Sequence, residues 1–133
     1  MDRDRRVCVF AEAAAAALER GRTPAAVRLL AITMAEAVEA GHPEAAEAAR
    51  ERLLWLSPRH LVGNAADAAE AVRDPEISNF LRTVRRGLPF EEAELWADSR
   101  PADDRRTPDA GRPVGEQVAE WLREGGDGSP TDG

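Results

Sequence analysis

The chain has 133 residues and a formal net charge of −7, a length that suits one domain with at most a tail. The acidic balance argues against a nucleic-acid backbone or an anionic membrane as the main ligand. All 18 basic charges are arginines, the mark of a GC-rich bacterial genome, and the one cysteine, Cys8, excludes an internal disulfide and points to a reducing cytoplasm.

The elements follow in chain order. Arg3, Arg5 and Arg6 precede Val7-Cys8-Val9-Phe10 in the manner of a signal peptide, but Glu12 ends the apolar run after five residues, short of the roughly 7 to 15 that a secretory core needs. Nothing approaches the ~18 apolar residues of a membrane span. Over residues 5–20, Val7, Phe10, Ala11, Ala14, Ala17 and Leu18 fall on one helical stripe that Gly21 closes. Thr23-Pro24 reads as the cap and first residue of a second helix with Val27, Leu30, Met34 and Val38 inward. Leu29 and Ile32 lie off that line, so this helix should be central.

Pro43 opens a third helix with Ala46, Ala49, Leu53 and Leu56 buried, and Ser57-Pro58 stops it. A fourth helix is expected over Leu61 to Val72. Asp74-Pro75 starts a fifth with Ile77, Phe80, Leu81 and Val84 inward, and Phe90 to Ala97 forms a short sixth with Glu91, Glu92 and Glu94 near its positive dipole end. Such short connections fold consecutive helices antiparallel. The expected architecture is all-α: stacked helical hairpins over 1–97, a disordered linker over 98–112, a short amphipathic helix over 113–124 and a disordered end over 125–133. The linker is assigned from composition, since Asp, Arg, Pro, Ser, Thr and Gly cannot bury enough surface to offset ordering entropy.

Residues 41–58 resemble the second half of a tetratricopeptide repeat. Gly41 stands at the hairpin turn, Ala46 and Ala49 at the helix crossing, Leu53 inward and Pro58 at the close. The upstream half, Val27 to Ala40, carries Thr33-Met34 where Leu-Gly is usual. The next register, Leu61 to Pro89, has Phe80 at a small-residue position. What this likeness implies is hairpins that must stack to cover their apolar faces. Residues 12–88 are also similar to the helical dimerisation domain of alkyl-sulfatase-type metallo-β-lactamase-fold hydrolases, through the segment 17–30 and Asn79-Phe80. That likeness implies self-association. The family's zinc signature, a His-x-His-x-Asp-His run, is absent from this sequence.

Little here could run a reaction. His42 and His60, the two histidines, each sit near a Pro at a helix boundary and lack the further ligands a zinc site needs. Cys8 is a possible redox thiol if exposed, with Arg5 and Arg6 near enough to lower its pKa, but reads better as a core cysteine. Arg73, Arg82, Arg85 and Arg86 form a possible basic patch for a phosphate or an acidic peptide, or a solvated helix face. Trp55 suits a seam between hairpins. Val114, Val118, Trp121 and Leu122 make the apolar face of the tail helix, a partner-binding face of the helix-in-groove type or one that packs back on its own domain.

The expectation is therefore a cytoplasmic, non-enzymatic protein–protein interaction or dimerisation module without cofactor, metal, nucleic acid or membrane. Its partner is another protein or a second copy of itself. The competing readings are an accessory or remnant part of a metallo-hydrolase, and a small transcriptional or sigma-factor regulator working through Cys8.

Overall fold

The computed structural model describes residues 2–124, and they form seven α-helices and no strand. Helices α1 (Arg3–Glu19), α2 (Thr23–Glu39) and α3 (Pro43–Leu56) run antiparallel in succession. Both turns between them have the same construction. Gly21 (φ +71°) and Gly41 (φ +80°) occupy the left-handed region that an L side chain resists. The N–H groups that follow reach back to close each helix end: Arg22 to the Ala17 carbonyl and His42 to the Ala37 carbonyl, both at 2.8 Å. Thr23 lies inside α2, not at its cap. Arg22 holds the cap position without a side-chain hydrogen bond.

Alanine decides how closely these helices approach. Ala13, Ala14, Ala16 and Ala17 of α1 and Ala45, Ala46, Ala48 and Ala49 of α3 are all buried, and their short side chains bring larger groups of neighbouring helices within reach. Every residue of α2 from Leu29 to Ala37 is buried, including Leu29 and Ile32, so this helix is central. Thr33 donates its hydroxyl to the Leu29 carbonyl within the same helix.

The chain then departs from the helix expected over Leu61 to Val72. Leu61–Asn64 is a 3-10 turn, and only Ala68–Arg73 is α-helical (α4). Gly63 and Asn64 are poor helix formers, and Asp67 caps α4 by accepting from the Glu70 N–H at 2.8 Å. Polar side chains of α3 hold this loop: Arg50 donates to the Ala65 carbonyl and Glu47 accepts from the Ala68 N–H, each at 2.6 Å. The segment after α3 is therefore not a second full-length helix pair.

Asp74 ends α4 and caps α5 (Pro75–Gly87), accepting from the N–H groups of Glu76 and Ile77. Ile77, Leu81 and Val84 are buried, and α4 and α5 together cover α2. Helix α6 (Phe90–Asp98) lies along α1, with Phe90 edge-on to Phe10 at 6.1 Å. Helix α7 (Val114–Glu124) packs on α3 and α1. No helix among the described residues is long and apolar enough to cross a membrane. The end expected to be disordered, 125–133, lies outside the described residues.

Candidate functional site

The groove between α1 and α3 is occupied by the chain's own α7. Val118, Ala119 and Leu122 are buried there, with Val114 and Trp121 half-buried beside them. Near the start of α7, a Cβ built on Gly115 would meet the His42 Cβ at 2.7 Å. Near its end, Arg123 pairs with Glu51 at 3.7 Å. The helix thus runs parallel to α3, and glycine is what lets its first turn touch the α2–α3 corner. His42 is held on its other side by Asp4, whose Oδ1 lies 2.6 Å from Nε2. The four residues predicted for a partner-binding face are therefore brought together, and in this structure they face their own domain.

The stretch 98–112, expected as a disordered linker, is held to the helices at defined points. Arg100, 6 % exposed, donates to Glu12 at 2.8 Å and to Glu19 at 2.9 and 3.1 Å. The Arg106 N–H donates to Glu12 Oε1 at 2.9 Å, and its guanidinium reaches the Trp121 carbonyl at 3.1 Å. Farther along, Gln117 exchanges hydrogen bonds with the backbone of Asp109 and donates to the Arg112 carbonyl. Composition is a poor guide here because arginines on buried carboxylates take over the role that apolar side chains fill elsewhere. These pairings shift proton affinities: the Arg100 hydrogen bond holds the Glu19 carboxyl below its ordinary range, and Glu19 and Glu12 in turn raise the Arg100 guanidinium.

A second buried carboxylate mirrors the first. Glu36 on α2 accepts two hydrogen bonds from Arg6 at 2.8 and 2.9 Å and one from Arg85 at 3.2 Å, tying α1 and α5 to the central helix. Glu12 and Glu36 were missed as structural centres. The available signal was a single acid inside an otherwise apolar stripe.

The other predicted site residues are dispersed. Cys8 is buried, and burial, with Asp4, Glu12 and Asp2 adding to it, pushes its thiol up to about 11. The lowering by Arg5 and Arg6 that an exposed thiol would have felt does not arise: Cys8 lies in the core, Arg5 pairs with Glu94 and Arg6 with Glu36. Arg82, Arg85 and Arg86 line a cleft of about 420 Å³ over α5, but Arg85 is bound to Glu36 and Glu39 and Arg82 donates to Asn79. Arg73 lies on α4, outside that lining. His60 is a loop residue whose Nδ1 accepts from the Val62 N–H at 3.2 Å and whose ring meets Phe80 edge-on. Burial lowers its pKa. Among the described residues, no group of three or more His, Cys, Asp or Glu side chains is placed to hold a metal ion.

Comparison of the chain with protein-family models, with curated proteins and with solved structures finds no match.

Proposed function

We propose that this protein is a non-enzymatic interaction module whose α1–α3 groove receives an amphipathic helix of another protein, with α7 closing the groove in the free chain. The observation that carries this reading is the seating of α7. Its apolar face is complementary to the groove, while the hydrogen bonds of Asp109 and Arg112 go to α7's own Gln117, Glu116 and Glu120. Residues 109–112 and the helix therefore form a unit that can leave together once the Arg106 bonds to Trp121 and Glu124 and the Arg123–Glu51 pair are broken. An α-helix of this length is marginal on its own in water, so its seat is within reach of a better-fitting competitor. The hairpin turn at Gly41 and the buried Ala46 and Ala49 support keeping the tetratricopeptide-like description of 41–58 within this proposal.

The test uses the full chain carrying Val118→Asp and Leu122→Asp, which cannot keep α7 in the apolar groove, and a fluorescent peptide of residues 113–124. Fluorescence anisotropy should show the variant binding the peptide at least about tenfold more tightly than the unmodified chain, whose groove is filled. If neither form binds the peptide, the groove is not a helix receptor. Sedimentation of the unmodified chain across a concentration series tells apart a partner's helix from α7 of a second copy as occupant: a dimer that forms only while α7 is intact assigns the groove to the second copy.

A further inference from the structure

Beside the last turn of α7 the α1–α3 groove widens into a half-open cavity of about 560 Å³, within the range of about 300 to 1,000 Å³ usual for small-molecule sites. Ala14, Leu18 and Leu30 line it, Trp121 and Leu122 close the α7 side, and Arg52 enters from α3. Most charges around it already have partners. Arg100 is bound to Glu12 and Glu19, and Arg106 to Glu12 and Glu124.

Arg52 differs. Its Nε and Nη1 are enclosed without any hydrogen-bond acceptor, and its guanidinium stacks on the Trp55 ring at 4.3 Å. Burial lowers its pKa, with no carboxylate acting in the opposite direction. Nη2, the remaining nitrogen, is not so enclosed and has no acceptor among the described residues, so it is the donor left for a ligand in the cavity, and the acceptor it holds most strongly is a carboxylate. Asp103 and Asp104 stand exposed on the rim of the same cavity. They disfavour multiply charged anions at the mouth, and the alanine and leucine lining favours an apolar body.

We propose that this cavity binds a small apolar monocarboxylate, with its carboxylate on Arg52 and its hydrocarbon or aromatic body against Ala14, Leu18 and Trp121. The site is complete while α7 is seated, so it does not rest on displacement of α7 by a partner.

Calorimetric titration of the full chain tests the assignment, with octanoate and 3-phenylpropionate as probes, octan-1-ol as the uncharged control and succinate as the dianion. Octanoate should saturate one site per chain, with octan-1-ol and succinate at least about tenfold weaker. Arg52→Met should weaken octanoate by about ten- to hundredfold, as loss of a charge-assisted hydrogen bond does, while Arg52→Lys keeps part of the affinity. Ala15→Trp, which fills the cavity from α1 with Arg52 intact, should abolish binding without loss of helical circular dichroism. The proposal falls if octanoate and octan-1-ol bind alike, if Arg52→Met leaves affinity unchanged, or if neither acid shows saturable binding in the millimolar range.

Discussion

Gly115 rests against His42 so closely that any Cβ at position 115 would sit 2.7 Å from the His42 Cβ and 2.8 Å from its Nδ1. His42 cannot easily retreat, because Asp4 holds its other ring nitrogen at 2.6 Å. Gly115→Ala should therefore push the first turn of α7 off the corner, costing about 1–3 kcal/mol as overpacking does. Hydrogen exchange should show the loss of protection concentrated in residues 114–124, and proteases should cut sooner within 107–113. Unchanged α7 protection would mean that the contact does not anchor the helix.

Glu12 ties α1, on which it lies, to the connecting segment at two points, Arg100 and Arg106, through one carboxylate. Removing it leaves the buried Arg100 with Glu19 alone and takes the acceptor from the Arg106 N–H, so the loss should fall at the lower end of the about 3–5 kcal/mol that breaking a buried pair from one side costs. Glu12→Ala should lower stability by that order in chemical denaturation and free the 98–112 segment. Replacing both partners, with Glu12→Leu and Arg100→Met, should recover part of the loss, because the buried Arg100 charge is gone while the Arg106 N–H and guanidinium still lack Glu12. A double variant as unstable as the single one would show that the pair does more than neutralise itself.

How far the sequence carried follows the kind of interaction involved. Hairpin turns at Gly21 and Gly41 and the apolar rows of α1, α2, α3 and α5 were legible because periodicity and glycine chemistry are local. The break at Gly63 was hidden by an alanine-rich pattern that fits helix as readily as loop, and it is set by Glu47 and Arg50, more than a dozen residues upstream. The course of 98–112 was illegible for a related reason. Arg100 and Arg106 find Glu12 and Glu19 only after α1 has folded, and composition cannot record partners separated by 81 to 94 residues. The tail-helix face was legible as apolar, but the seat itself depends on Gly115, which in sequence looks like a weak point in a short helix.

The two kinds of glycine make a direct contrast. Gly41 has φ +80° at the α2–α3 turn, whereas Gly87 at the end of α5 has ordinary φ and open space where a Cβ would stand. Gly41→Ala should cost about 1–2 kcal/mol through left-handed backbone strain. Gly87→Ala should be neutral or stabilise by about 0.4–1 kcal/mol, by restricting the unfolded chain. Thermal unfolding of the two variants side by side checks this, and equal effects would contradict the turn assignment.

Cys8 should behave as a core residue in solution. With its thiol pushed up to about 11 by burial, almost none is thiolate at pH 8, and the thiolate is the reacting form. Alkylation by iodoacetamide at pH 8 should be slow in the native chain and rapid in denaturant, with a native rate that tracks the unfolding equilibrium. Cys8→Ala should fold and should keep any partner binding regardless of oxidant. Fast native alkylation, or partner binding that depends on oxidant through Cys8, would restore the redox reading.

His60 gives stability a pH dependence of defined sign. Its ring is partly withdrawn from water, its Nδ1 accepts from the Val62 N–H, and burial holds its pKa below the ordinary value of 6.5. Between the lowered folded value and 6.5 the unfolded chain binds the extra proton and the folded chain does not, so stability rises with pH across that window. The contribution is fully present above about 6.5, is lost as pH falls towards the folded pKa, and stays constant below it. His60→Asn offers an amide oxygen to the same N–H but cannot titrate. Subtracting the variant's denaturation free energies from those of the unmodified chain should give a flat difference at neutral pH that turns downward below about 6.5. A difference flat down to pH 5, or one that turns upward, would show that the imidazole is not held neutral by its place in the loop.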